Sequence, residues 1–587
     1  MQSPEDAYKL RIASDLSVND GFVVFTITWI ENGEYESSIY RFDGETLDRL
    51  TFGNHERMPL YHDGSLYYIS YSKDRERLIK LEPLKEPREI YWNRSITKYQ
   101  PSSKGVLAIV SDPFDPNDPL ATERIKYRFD SRGFLRKKNK LVLIGEKTET
   151  LVEGDFDVTD VSSQGEKIIF SSTENDDDHE LHDIYSLDAD SKAISRITEG
   201  SGNVSAICLS PEGRVAYVGH RRGYIPWAVD KLMFPETDTA VEIGMNASSS
   251  VLSDLFVSDA QKLLYDSGKY YLIGQTGGSA SIFSYDGTVE RVTDLGLAVR
   301  EFSVKSGKLA YVYTSPEKPS VIFFGKELDL NPEIKGATPH RLELEGKDAW
   351  LLLSDRKSPN VLSIHGGPHS AYGYAYSIEF NFLAQNGFNV IFGNPAGSGG
   401  YGEDFARECV GDWCGKDFND QMSFMEKAKA KYSLEGPFAV TGGSYGGFMI
   451  NAIITKTDIF RCAIPERSIS NLMSMCGTSD IGFYFNPLEL GVEDPWSSEG
   501  IERLMQLSPI YNVKKVRTPT MFVEGEEDYR CPIEQAEQMY TALRVMGVPS
   551  MLVRYQGDSH EHARRGKPKN MLDRLDRKLK WFKKYCV

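Results

Sequence analysis

Two textures divide the 587-residue chain and predict a multidomain protein: an all-β propeller, then an α/β domain on a mostly parallel sheet. Through roughly the first 325 residues, short strands alternate with tight turns, helical periodicity is nearly absent, and a hairpin motif recurs, which marks a propeller. After Pro339, strand-length apolar runs alternate with helix-length segments, as parallel strands joined by crossover helices require. We assign residues 1–330 to the propeller and 331–587 to the α/β domain, with the first ~20 residues free to pack on the second.

The recurring hairpin is readable three times. Ile39-Tyr40-Arg41-Phe42-Asp43-Gly44 leads to Arg49-Leu50-Thr51, Ile184-Tyr185-Ser186-Leu187-Asp188 to Arg196-Ile197-Thr198, and Ile282-Phe283-Ser284-Tyr285-Asp286-Gly287 to Arg291-Val292-Thr293. Each copy reads as an aromatic-alternating strand, an Asp-centred turn and a return strand ending in Thr. Turns at Ser163-Gln164-Gly165-Glu166 and Ser210-Pro211-Glu212-Gly213 each precede another apolar strand. At a period of ~40–50 residues this segment holds about seven blades. Two stacked β-sandwiches are the competing reading of the same strands.

In the second domain the apolar runs 361–364, 389–392, 438–440, 520–523 and 551–555 read as strands. The chain ends in an amphipathic helix, with Leu572, Leu575, Leu579 and Phe582 at helical spacing and Lys and Arg between them. A membrane or partner helix could look like this, but a solvated helix packed on the sheet is the simpler reading.

Composition narrows the function classes. Hydrophobic residues make up 40% of the chain and aromatic residues 11%, enough to fill cores of this size. A net charge of −17 disfavours nucleic acid or an anionic membrane as partner. The seven cysteines are scattered with no Cys-x-x-Cys pair, so neither a zinc site nor a disulfide framework is indicated, and reduced thiols in a cytoplasm are expected. The start, Met1-Gln2-Ser3-Pro4-Glu5-Asp6, lacks the basic and apolar regions of a signal peptide. No run of ~18 apolar residues is long enough to span a membrane. No metal or cofactor is expected, and a homo-oligomer is compatible with the sequence without being specified by it.

The chemistry centres on Ser444. It lies in Gly442-Gly443-Ser444-Tyr445-Gly446, directly after the apolar run Phe438-Ala439-Val440. This Gly-x-Ser-x-Gly pattern between a strand and a helix is that of a nucleophile elbow, in which a sharp turn exposes the hydroxyl at the carboxyl edge of an α/β-hydrolase sheet. The pattern alone is weak in a chain with 50 glycines, so its surroundings carry the argument. A serine nucleophile needs a base, and the base a carboxylate, in the order Ser, acid, His for this fold. Downstream of Ser444 only His560 and His562 exist. His560 is favoured, because the short Gly557-Asp558-Ser559 turn after the last strand brings it back toward the elbow. For the acid, Asp528 competes with Glu526, Glu527 and Asp558, and spacing does not choose among them. The run Val361-Leu362-Ser363-Ile364-His365-Gly366-Gly367-Pro368 is a strand entering a glycine loop of the oxyanion type. The Gly367 N–H would pair there with that of Tyr445, while His365 itself reads as a structural loop histidine.

Propeller and hydrolase together resemble the prolyl oligopeptidase clan, and in particular its acylaminoacyl-peptidase branch. The resemblance is carried by Asn394-Pro395-Ala396-Gly397-Ser398-Gly399-Gly400-Tyr401-Gly402, Gly411-Asp412-Trp413, Arg467-Ser468-Ile469-Ser470-Asn471-Leu472, Gly477-Thr478-Ser479-Asp480 and Asp528-Tyr529-Arg530-Cys531-Pro532. The tail from Ser559-His560-Glu561 to Arg565-Gly566-Lys567-Pro568 is similar, as is Tyr127-Arg128-Phe129-Asp130-Ser131-Arg132-Gly133-Phe134 in the propeller. It implies a serine peptidase acting on short peptides and releasing an N-acylated residue from blocked ones, the propeller excluding folded proteins. It also implies Asp528 as the acid, His560 as the base, and Arg530 as a substrate-binding residue. From the residues alone, Arg530 reads as a loop ion pair with a neighbouring Glu. Oligopeptidase, dipeptidyl- or carboxypeptidase action, and a carboxylesterase with the same triad, are the alternatives. An apolar side-chain pocket could draw on Phe483, Tyr484 and Phe485, although such a run is more often core. Three positions depart from the branch: Ala396 where Arg is usual, Glu524 where many have His, and Cys414 where Gly is usual. None of these removes a catalytic group.

Overall fold

The computed structural model describes residues 3–72, 75–115, 117–173, 181–200, 202–257 and 261–587. Seven four-stranded antiparallel blades are formed among these residues, in chain order and without exchange of strands. The first is Ile12–Asn19, Phe22–Glu31, Glu34–Phe42 and Leu47–Arg49; the last is Ala298–Lys305, Lys308–Thr314, Val321–Phe324 and Lys326–Asp329. Packing closes the ring. Ala13, Leu16 and Phe25 of blade 1 share a core with Ala310, Val312 and Ile322 of blade 7. The Glu301 carboxylate of blade 7 accepts from the backbone N–H groups of Asp15 and Leu16, at 2.5 and 2.9 Å.

The three hairpin repeats are the outer two strands of blades 1, 4 and 6. Their threonines end each blade in the same way. Thr51, Thr198 and Thr293 each accept, through Oγ1, from the N–H of the isoleucine that opens the motif, all at 2.9 Å. The hydroxyl stands in for the next ladder bond, so the edge strand stops with its neighbour's donor satisfied.

The second domain holds one eight-stranded sheet. Across it run His340–Leu344, Lys347–Leu352, Asn389–Gly393, Asn360–Ile364, Phe438–Ser444, Phe460–Ser468, Thr520–Gly525 and Ser550–Tyr555. Every pairing from Asn389–Gly393 onward is parallel. After Asn360–Ile364 the chain crosses to one flank of that strand, then returns to the other, so the carboxyl ends of the central strands diverge where a site can form. All five strands read from the sequence are present. Phe460–Ser468 escaped because it holds charges and Pro465, which has no N–H for a ladder and argues against a central strand.

The terminal helix Pro568–Cys586 packs on the sheet through Leu575, Leu579 and Phe582, in a core shared with Ala7 and Leu10 from the start of the chain. Its basic face is not wholly solvated. Arg574 and Lys578 are buried, and they bond the buried carboxylates of Glu466 and Glu379, including Arg574 Nε to Glu466 at 2.5 Å and Lys578 Nζ to Glu379 at 2.5 Å. No helix among the described residues is long and apolar enough to cross a membrane.

Candidate active site

Ser444 ends the Phe438–Ser444 strand and caps the helix Tyr445–Lys456, with φ 63° and ψ −124°. A non-glycine residue held there is strained, and the strain aims its hydroxyl off the sheet edge. The turn is possible because its neighbours lack side chains. A Cβ on Gly446 would lie 2.2 Å from the Ile364 carbonyl oxygen, and one on Gly366 would lie 3.2 Å from Ser444 Cβ.

Asp528 and His560 follow two neighbouring strands, Thr520–Gly525 and Ser550–Tyr555, and they meet: His560 Nδ1 lies 2.8 Å from Asp528 Oδ2. The other Asp528 oxygen accepts from the Cys531 N–H at 2.7 Å. Two of the competing acids, Glu526 and Asp558, are engaged elsewhere, and among the described residues Glu527 does not meet His560. Glu526 pairs with Arg554, and Asp558 accepts from the Lys567 N–H and the Asn570 amide at the start of the terminal helix. His562 lies 3.5 Å from Glu466, in the buried charge network rather than beside Asp528.

Burial dominates the electrostatics. It pushes Asp528 up to about 7 against the Cys531 N–H. It pushes His560 down to about 3, assisted by Arg467 and Arg530 and opposed by Asp130 and Glu561. The imidazole is therefore neutral at rest, the form a base requires. The Ser444 hydroxyl has Cys531 Sγ as its partner, at 4.0 Å. Among the described residues the short bond from Ser444 to His560 is not closed; in free enzymes such bonds often tighten only with substrate.

One cavity of about 280 Å³ brings these groups together. Ser444, His560, Gly367, Tyr445 and Arg530 all line it, as do Arg467 and Arg564. Tyr224 and Leu252 close it from the propeller side. Tyr445 opens its helix, so its N–H has no intrahelical acceptor. Its hydroxyl is turned into the core and bonds Asp417, which leaves the backbone to face the cavity. The loop bearing Gly367 is tied down by His365, whose ring nitrogens meet the Gly366 carbonyl at 2.7 Å and Ser398 Oγ at 2.9 Å. Burial pushes His365 down to about 4, in keeping with a structural, neutral ring.

Arg530 lies at the cavity wall and is also in an ion pair, with Asp480 rather than a Glu: Nε to Oδ1 2.8 Å and Nη2 to Oδ2 3.2 Å. Of the aromatic run only Phe485 lines the cavity; Tyr484 is buried and packs edge-on against Tyr224. Sequence reasoning gave no role to Arg467. It is half-buried beside the elbow with φ 36° and donates to the His560 carbonyl at 3.0 Å, while its Nε has no partner. Its place at the head of the family-like stretch 467–472 was the signal that could have found it. Ala396 is buried with its N–H on Asp420 at 2.9 Å, so the loop holds together without the usual Arg.

Known proteins match both halves. Residues 26–319 match the acylaminoacyl-peptidase N-terminal β-propeller domain, and residues 374–587 match the prolyl oligopeptidase family. An uncharacterized peptidase of Bacillus subtilis, YuxL, is 31% identical over 516 residues, covering 80% of this chain and 78% of its own. The acylamino-acid-releasing enzyme of Arabidopsis thaliana is 31% identical over 236 residues, 39% of this chain but only 30% of that enzyme. The acylaminoacyl peptidase of Pyrococcus horikoshii shares the fold, with a TM-score of 0.86 at 21% identity, over 100% of this chain and 97% of its own. A wall of propeller residues over an elbow serine, together with these matches, leads to one conclusion: the chain belongs to the prolyl oligopeptidase family of serine peptidases, with a propeller of the acylaminoacyl-peptidase type.

Proposed function

We propose that the protein hydrolyses short peptides and releases N-acylated amino acids from blocked ones. Ser444 attacks the carbonyl, His560 takes its proton and passes it to the leaving amine, and Asp528 orients the imidazole. The N–H groups of Gly367 and Tyr445 hold the tetrahedral oxyanion, and water then releases the acyl group. Residues 331–587 supply this chemistry, and residues 1–330 restrict entry. The observation that carries the reading is the 2.8 Å contact between His560 and Asp528 beside the elbow serine.

The charges of the cavity support a blocked amino end. Arg467, Arg530 and Arg564 line it, and Glu561, the one acidic residue among the described lining, is paired with Arg564. A free ammonium group would lack an uncommitted carboxylate there. The same guanidinium groups suit a free carboxyl end, so a carboxypeptidase is the second reading. Arg530 assists binding in either case, held at the right height by Asp480. The seven thiols are all unpaired and buried, which supports a reducing compartment such as the cytoplasm.

A fluorophosphonate should label the protein and fail to label Ser444→Ala; equal labelling of both would reject the triad. One peptide prepared with free or acetylated amino ends and free or amidated carboxyl ends then separates the readings by mass spectrometry. Cleavage of the acetylated forms is expected. Cleavage of free-amine forms alone overturns acylaminoacyl release, and dependence on the free carboxyl selects the second reading. Faster turnover of a simple aliphatic ester than of an acyl-amino-acid anilide would favour an esterase.

A further inference from the structure

Blade 3 carries an excursion that the propeller does not need for its own closure. Between its strands Gly105–Ser111 and Asn139–Ile144 the chain runs out through residues 112–138, whereas in blade 1 the same connection is Asn32-Gly33. The excursion holds a small hairpin, with Arg128–Phe129 paired to Gly133–Phe134 and Ser131 at φ 64° in the turn. A hairpin this short is unstable alone and needs something to lie against. It lies against the second domain. The Arg128 guanidinium donates to the Thr478 carbonyl, Phe134 stacks on Tyr529 with centroids 6.0 Å apart, and Ser131 Oγ meets Ser559 Oγ at 3.0 Å.

Asp130 stands at the tip and is buried. Its Oδ1 accepts two backbone bonds, from the N–H of Tyr529 and from the N–H of His560, each at 3.1 Å. Tyr529 is the neighbour of the acid, and His560 is the base itself. The hairpin backbone is fixed in turn, since the Asp130 N–H donates to Asp480 Oδ2 at 2.8 Å, the carboxylate that also holds Arg530. One carboxylate oxygen thus joins two loops that follow different strands, at the point where each presents a triad member.

The physical consequence is specific. Acid and base must keep their geometry to within ~0.5 Å, and loops set this less well than strands. Charge-assisted bonds to backbone N–H groups are among the stronger ties available, and buried N–H groups tolerate no loss of partner. We infer that Asp130, contributed by the propeller, is a positioning residue that fixes the Asp528 loop and the His560 loop together, so that the working triad is assembled by both domains. This rests on the triad reading above.

The test uses the full chain. Wild type labelled by a fluorophosphonate, with Ser444→Ala unlabelled, is the control; its failure overturns the triad and this inference with it. Given the control, Asp130→Ala should lower kcat and the labelling rate together by about 10–100-fold, the effect of small misplacements in a catalytic group, with KM nearly unchanged. Asp130→Asn keeps an oxygen acceptor for both N–H groups and should recover rates to within about fivefold of wild type. Because Asp130 opposes the lowering of the His560 pKa by Arg467 and Arg530, with Glu561 and Asp528 still in place, Asp130→Asn should also move the acid limb of kcat/KM to lower pH. Wild-type rates in Asp130→Ala, equal losses in both variants, or a loss confined to KM would overturn the inference. If Asp130→Ala does not fold, Asp130→Ser, too short to reach both N–H groups, replaces it: a loss of kcat of about tenfold or more with KM unchanged supports the role, and a wild-type kcat rejects it.

Discussion

Glu524 shows how closely chemistry and fold compete at single residues. Its side chain is buried at the end of the Thr520–Gly525 strand; one oxygen accepts from the Ser468 N–H at 3.0 Å and the other has no partner. Burial, and then the neighbouring Asp528, raise its pKa well above the carboxylate range. An acid whose folded pKa is raised stabilises the fold fully only below its unfolded value of ~4.3, and that contribution is lost as pH rises. Glu524→Gln removes the penalty at high pH while keeping the shape. The variant should melt about 2–4 °C higher at pH 8, the shift expected of ~1 kcal/mol in a domain of this size, with the gain shrinking toward pH ~4.5. A lower midpoint at pH 8 would contradict this account. At this scale the sequence was legible where a residue type is scarce or a motif is tight: Ser444 follows from its turn, and His560 from having one rival. Asp528 was not separable from Glu526 or Asp558 by spacing, because the choice depends on partners such as Arg554 and Asn570 that fold onto those side chains.

The terminal helix carries the main lesson at the level of elements. Its apolar stripe announced a helix packed on a sheet, and Leu575, Leu579 and Phe582 lie in that core. The same periodicity placed Arg574 and Lys578 among solvated cations, yet both are buried against Glu466 and Glu379. Burial pushes Glu466 up, but Arg574 and Lys578 outweigh it and hold the carboxyl well below its ordinary range. Removing one member strands the opposite charges in the interior, at a cost of about 3–5 kcal/mol. Lys578→Met should therefore lower the denaturation midpoint far more than Lys580→Met, which cuts only a surface pair; equal effects would show the network to be neutral. The hairpin repeats were legible because a turn and a terminal Thr are local features. Phe460–Ser468 was not, since its parallel neighbours on both sides, and not its own composition, make it a strand.

Over the whole molecule, the propeller contributes to the site as well as lying over it. Tyr224 and Leu252 complete the cavity wall, and Asp130 reaches the two catalytic loops. A folded protein bearing a given acylated amino end should resist cleavage while the free peptide of the same sequence is cut; comparable rates for both would remove the propeller's role as a filter. By itself the sequence determined the two fold types, the blade period, the elbow pattern and the residue types proposed for catalysis. Each of these rests on local spacing: a strand period of two, a turn that only small residues allow, a nucleophile followed by its partners in order. Spacing left the acid open and the family resemblance named Asp528. Only the tertiary structure decided that Glu526 and Asp558 are committed elsewhere, that Arg530 is held by Asp480, that Arg467 lies beside the elbow, and that a propeller hairpin clamps both loops. Those outcomes depend on contacts between groups up to 430 residues apart, as Asp130 and His560 are. Such contacts leave no periodic trace in the chain, because they are set by how two separately patterned domains come to rest against each other.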